Sequence, residues 1–239
     1  MSEPRHISPI LDGFTLGQLL SRSSTAACYQ ATQNHTGLRF VVKIISLPAS
    51  TQQLDSLLMS GTFAGPTEVN AHFKEQAKDV LRNVQVLRHL ATVGGFVDYD
   101  CVQVVPSADG KGYEVYLLSP MRQTLPQQLQ REDLTQMDVV NLALDLCAAL
   151  TVCRRSGYCY TNLKPGNVFR HGAHYHIGDL GFLPLYEIGR KDSSFAIYLL
   201  PITIAVEIYL VAIVESYLKK RLIFVSFCRC HKIVGEVLL

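Results

Sequence analysis

Apolar and polar positions along this chain follow two different periods, and the change from one to the other predicts its elements. Phe14 to Leu20 and Ala26 to Ala31 are short apolar runs around a polar turn, and Leu38 to Ser46 is rich in β-branched residues with Lys43 set inside it. Such runs predict strands. Thr51 to Pro66 is a connector punctuated by Ser, Thr, Gly and Pro, in which Gln53 to Met59 can make one or two helical turns. From Glu68 to Leu90, Phe73, Ala77, Val80, Leu81, Val84 and Leu87 recur at helical spacing until Gly94-Gly95, which predicts a long amphipathic helix with a defined stop.

Two more extended segments follow, Val97 to Val105 and Tyr113 to Leu118, around the turn-like Ser107-Ala108-Asp109-Gly110. After Ser119-Pro120 the period becomes helical. Thr135 and Asp138 form a capping-box pattern ahead of a helix at Val139 to Arg155, in which Val139, Leu142, Ala143, Leu146, Ala149, Leu150 and Cys153 mark a broad buried face and Gly157 is the stop. Strands with one helix, then mostly helix, predict an α+β arrangement of two lobes joined near residues 119 to 122. The expected divisions are 12–118, 119–190 and an atypical apolar tail, 191–239.

The composition changes this picture little. Of 239 residues 48% are apolar and 18% charged, enough to build a sizeable core, and the net charge of +2 with no long basic run argues against a nucleic-acid partner. Seven cysteines without disulfide-framework spacing, and a polar start from Met1 to Pro9 without a signal-peptide core, lead us to expect a reducing, cytoplasmic setting. Cys228, Cys230 and His231 are close in sequence, but a zinc site wants four ligands and no second pair is visible.

The candidate chemistry is concentrated after the second helix. Tyr160-Thr161-Asn162-Leu163-Lys164-Pro165-Gly166-Asn167 is followed, twelve residues beyond Asn167, by Asp179-Leu180-Gly181. The first segment resembles the kinase catalytic-loop pattern H-R-D-L-K-P-x-N and the second the metal-binding D-F-G with Leu for Phe. Upstream, Val41-Val42-Lys43-Ile44 resembles V-A-I-K. On these motifs, in this order, the stretch from about Phe14 to Leu185 resembles the protein kinase superfamily and is most like serine/threonine kinases, bacterial ones included.

The resemblance implies a two-lobed fold, an antiparallel sheet with a long helix and then a mainly helical lobe, with ATP and Mg between them and a protein hydroxyl as acceptor. Asn167 and Asp179 would hold magnesium, Lys164 would offer charge near the transferred phosphoryl group, and Lys43 would meet the α and β phosphates. Val41, Leu118 and Met121 would wall the adenine. Each position also has a plainer reading: Asp179 as a turn residue, Asn167 as a loop cap, Lys43 as a solvated lysine and the apolar three as core.

Several departures are visible. Ser21, Ser23 and Ala26 stand where three glycines would let backbone approach phosphate. The acid that pairs with the strand lysine is expected near Asn83, an amide, while Glu75 and Asp79 lie two turns and one turn earlier on the same stripe. Asn162 replaces the aspartate that accepts the substrate proton, and an amide cannot act as that base. Such assistance is typically worth ~10²- to 10⁴-fold, so turnover of roughly 1 to 100 per second would fall to about 10⁻⁴ to 1 per second. Tyr160 and Thr161 replace a histidine and an arginine, removing a structural hydrogen bonder and a phosphate-reading cation. The expectation is therefore an ATP-binding domain with impaired phosphotransfer, or a non-catalytic pseudokinase serving as an interaction scaffold.

Only 58 residues follow Gly181, fewer than the family uses, so a C-terminally truncated, non-functional fragment is a third expectation. Among them Phe195 to Val214 is a 20-residue apolar stretch broken by Pro201 and Glu207, followed by Lys219-Lys220-Arg221 and a second apolar run, Leu222 to Phe227. Its length suits a bilayer, but Glu207 would cost about 2.5 to 3.5 kcal/mol if comparable to Asp, and the basic cluster would put the kinase-like part on the side without ATP. A membrane segment, a helical remnant packed on the domain and a tail read from a shifted frame all stay open.

Overall fold

The structure, a computed structural model, describes residues 11–188. The apolar stretch 195–214 and the Cys228–His231 group lie outside the described residues, as does all of 189–239. The described chain is a mixed α+β protein that divides into two units, one of 11–85 with Asp98–Met121 and the other of Val86–Val97 with 122–188.

The first unit is built on a five-stranded antiparallel sheet: β1 (Phe14–Arg22), β2 (Ala26–Gln33), β3 (Arg39–Leu47), β4 (Cys101–Pro106) and β5 (Tyr113–Pro120), in the order β1-β2-β3-β5-β4. Its register decides which side chains share a face. Val42 lies opposite Leu118 and Ile44 opposite Tyr116, and these four pack with Ala31 and Leu11 as one buried cluster. Alternation puts Val41, Lys43 and Ile45 on the other face, across from Ser119, Leu117 and Val115. Two helices follow β3. The first, α1 (Thr51–Met59), is longer than the one or two turns expected from Gln53 and is capped by Ser50, whose Oγ accepts from the Gln53 N–H at 3.2 Å. The second, α2 (Pro66–Val93), begins with proline at its first position, where no intrahelical N–H is required. Leu54, Val69 and Phe73 bury against Leu47 and Tyr113 at one end of the sheet.

The extended segment expected over Val97 to Val105 forms a strand only from Cys101. The Val97 N–H instead donates to Ile177 O at 2.9 Å, and the Ile177 N–H to Gly95 O at 2.9 Å, which makes the 95–97 segment part of the second unit.

In the second unit, helix outweighs strand but does not act alone. A short helix that the hydrophobic pattern does not predict, α3 (Leu125–Arg131), is started by a Thr124–Gln127 capping box. The long α4 (Gln136–Arg155) begins at the expected Thr135–Asp138 box, with the Asp138 N–H donating to Thr135 Oγ1 at 3.1 Å and the Thr135 N–H to Asp138 Oδ2 at 3.0 Å. The Thr135 hydroxyl, which donates to Asp138 Oδ2 at 2.6 Å, and then the Thr135 N–H hold the Asp138 carboxyl below its usual pKa. By length and apolarity alone α4 would pass for a bilayer span; here its Val139–Leu142–Leu146–Ala149–Cys153 stripe is buried in the core. Five short strands complete the unit: β6 (Gln123–Thr124), β7 (Tyr158–Tyr160), β8 (Val168–His171), β9 (His174–Ile177) and β10 (Phe182–Pro184), the last leading into a single turn, α5 (Leu185–Ile188). They pair as β6-β8-β9 and as β10-β7. Asn141 Nδ2 donates to Ala173 O at 3.1 Å, and the Tyr175 N–H donates to Asp145 Oδ2 at 2.8 Å, tying α4 to the β8–β9 hairpin.

Candidate functional site

The segment from Thr161 to Gly181 is closed at its base by the antiparallel β7–β10 ladder, Phe182 opposite Tyr160 and Pro184 opposite Tyr158. Phe96, Tyr160 and Phe182 meet there as three buried rings with centroids 5.1 to 6.1 Å apart. Above this base Asn162, Asn167 and Asp179 come together. A 3₁₀ turn at Pro165–Asn167 brings Asn167 inward, with its N–H donating to Lys164 O at 2.9 Å. The buried Asn167 side chain donates through Nδ2 to Asn162 O at 2.8 Å, leaving Oδ1 as its acceptor end. Asn162 Nδ2 donates to Leu180 O at 2.8 Å and to Asp179 Oδ2 at 3.4 Å.

Asp179 is the one described non-glycine residue with positive φ, at 74°. Left-handed backbone is costly for a residue with a Cβ and is concentrated at functional sites. It is supported locally: the Leu180 N–H donates to Asp179 Oδ1 at 2.8 Å, and Gly181 O accepts from both the N–H and the Oγ1 of Thr161, at 2.8 and 3.0 Å. Lys164 stands on the same segment with its side chain exposed.

Tyr160 corrects one expectation. The position was expected to lose a structural hydrogen bonder along with the histidine, yet the phenol O–H donates to Gly178 O at 2.6 Å and accepts from Asn167 Nδ2 at 3.5 Å. Burial, and then the nearby Asp179 charge, push its pKa up, so it remains a donor. The sequence shows only that a tyrosine stands where the resembled motif has a histidine; the reach of its phenol to the backbone before Asp179 depends on the fold. Tyr160→Phe should therefore cost about 1 to 3 kcal/mol, the penalty for leaving the buried Gly178 carbonyl unpaired. Urea unfolding measures it, and a loss below about 0.5 kcal/mol would mean that the carbonyl finds another donor.

In the first unit the expected nucleotide residues are dispersed differently. Lys43 is half-buried in the middle of β3, between Cys28 and Leu117 on its neighbours. Val41 shares its face; Leu118 does not, because it lies opposite Val42 and is sealed into the cluster on the other side. Leu118 is thus removed from the expected adenine wall by strand parity, and Ser119 is what faces the same way as Val41. Met121 follows β5, its N–H donating to Arg39 O at 2.9 Å. Ser21 is the penultimate residue of β1 and Ser23 forms the β1–β2 turn, where the Ser23 N–H donates to Ala26 O at 2.8 Å and the Ala26 N–H to Ser23 Oγ at 3.0 Å. Those N–H groups close the turn on itself rather than pointing outward.

The candidate partners of Lys43 also separate. Glu75 pairs with Lys78 and Asp79 with Arg82, each pair exposed on α2 itself, and the hydrogen bond from Lys78 lowers the Glu75 pKa. Asn83 is half-buried, and its Nδ2 donates to Asp79 O at 3.4 Å.

The donor set for a cation is small and hard: the Asp179 carboxylate and Asn167 Oδ1. Among the described residues no group of three or more His, Cys, Asp or Glu is placed to hold a metal. Magnesium suits such a pair, since it keeps several waters and takes its remaining ligands from phosphate. No protein-family model matches the chain, and no curated protein matches it.

Proposed function

We propose that this protein is a two-lobed, serine/threonine kinase-like domain that binds Mg-ATP, with weak phosphotransfer to a protein hydroxyl. The observation that carries the proposal is the convergence of Asn162, Asn167 and Asp179, from two separate segments, around a left-handed aspartate. Bound magnesium would neutralise charge on the phosphate oxygens. Asn167 and Asp179 offer it oxygen ligands, Lys164 supplies an exposed cation on the same loop, and Lys43 is the lysine that the resemblance assigns to the α and β phosphates. Asn162 can orient a hydroxyl by hydrogen bonding but cannot take its proton, which is the reason for expecting slow transfer. Nothing in the proposal calls for a membrane, and we place the domain in the cytoplasm.

The self-closed Ser23–Ala26 turn and the outward pairing of Glu75 and Asp79 favour a second reading, a pseudokinase that serves as a protein-binding scaffold. Thermal denaturation with Mg-ATP separates nucleotide binding from its absence: at 100 times the dissociation constant the ligand adds about 2.7 kcal/mol, and Asp179→Ala should remove most of that gain. No shift at millimolar nucleotide would defeat the binding claim. A shift without transfer of labelled phosphate to any protein hydroxyl would select the scaffold.

A further inference from the structure

We infer that Asn162 is a positioning residue, an amide clamp that sets Asp179 in its left-handed conformation. Leu180 O is fixed by Asn162 Nδ2 at 2.8 Å, and the same nitrogen reaches Asp179 Oδ2 at 3.4 Å. Asn162 O in turn anchors Asn167 at 2.8 Å, so one residue ties both segments of the candidate site. The fit is close on the other side as well: a Cβ on Gly181 would lie 2.6 Å from Asn162 Cβ. The two acceptors that Asn162 serves flank the left-handed residue, one on its side chain and one on the next carbonyl.

Aspartate is nearly isosteric with asparagine but, when ionised, only accepts hydrogen bonds. At position 162 it would set a carboxylate against the Leu180 carbonyl and the Asp179 carboxylate, where a donor now stands. The amide is then a working part of the loop as well as a lost base, and restoring the acid is not expected to restore an active geometry by itself. The inference rests on the nucleotide-binding proposal only for what Asp179 is held in place to do. The clamp can be tested without nucleotide.

The experiment compares the full chain with N162D and N162A by thermal midpoint, with magnesium and with chelator, between about pH 5 and pH 7.5. N162A, which loses the donors, should fall by roughly 4 to 8 °C at every pH and with or without magnesium. N162D should fall at least as far near neutral pH in chelator. It should then recover relative to wild type in two ways: as pH drops, because two adjacent carboxylates raise the folded-state pKa of one above its unfolded value, and with millimolar magnesium, which bridges them. Should N162D not fold, the double variant N162D/D179N restores a donor facing an acceptor between the two side chains and should fold without the acid response. The inference is overturned if N162D matches wild type at neutral pH, if its deficit ignores both acid and magnesium, or if N162A is as stable as wild type. Because no nucleotide is present, a failure of ATP binding does not bear on these outcomes.

Discussion

Gly181→Ala is expected to destabilise the protein by roughly 2 to 5 kcal/mol and to abolish any Mg-ATP response. Gly181 has φ 140°, a backbone conformation in which L side chains are strained, and its added Cβ would meet Asn162 Cβ at 2.6 Å and Asn162 N at 3.3 Å. Backbone strain of this kind costs about 1 to 3 kcal/mol and overpacking a further 1 to 3. Relief by moving either segment would break the two Thr161 bonds to Gly181 O or the Asn162 bond to Leu180 O. A control isolates the clash: Gly172 has φ 63° at the β8–β9 turn with open space where its Cβ would lie, so Gly172→Ala should cost only about 1 to 2 kcal/mol. Urea unfolding of both variants gives the comparison. Equal losses would show that the Asn162 side is not tightly packed, and a Gly181→Ala loss under 1 kcal/mol would remove the steric basis of the clamp.

The glycines on either side of Asp179 and Leu180 show what the sequence could and could not convey. The spacing from Asn162 to Asp179 is visible in the chain as a motif, and the structure brings those residues within hydrogen-bonding distance. What Gly178 and Gly181 are for is not visible, because the atoms that exclude a Cβ belong to distant positions: Phe169 and Val97 for Gly178, Asn162 for Gly181. The same limit explains Leu118. Alternation along β5 says that Leu117 and Leu118 face opposite ways, but only the pairing of Val42 with Leu118 decides which of them shares a face with Lys43.

Helices were legible where local signals agreed. The Thr135–Asp138 box and the apolar stripe after it gave α4, and apolar spacing gave the body of α2. The short α3 carries the same kind of box, Thr124 with Gln127, but its seven residues are too few to establish a period, and three of them are glutamines. One of these, Gln128, is buried, where its Oε1 accepts from the Tyr175 O–H at 3.1 Å. No hydropathy pattern places a glutamine there. The strand expected from Val97 failed for a related reason: β-propensity around Val97 is real, but its N–H is claimed by Ile177, so the ladder of the first sheet begins only at Cys101.

That claim on Val97 also sets the last expectation, that Phe96→Ala should be the most damaging single truncation near the site. Phe96 is 4% exposed, and its ring contacts those of Tyr160 and Phe182, which close the base of the 161–181 segment. Removing a buried phenylalanine typically costs about 3 to 5 kcal/mol, part of it for the cavity left behind. The position makes the cost more than a matter of core volume. Its neighbours Gly95 and Val97 exchange hydrogen bonds with Ile177, two residues before Asp179, while Phe182 lies three residues after it. Loss of the ring therefore loosens the supports on both sides of the left-handed residue. Phe96→Leu, which retains most of the apolar volume, should lose roughly 1 to 2 kcal/mol and keep any Mg-ATP response. Chemical unfolding with a nucleotide-shift measurement on both variants distinguishes local support from general destabilisation. If Phe96→Ala stays folded at low temperature and still responds to Mg-ATP as wild type does, then Asp179 holds its conformation without the aromatic base, and the hydrogen bonds from Asn162 and Thr161 suffice.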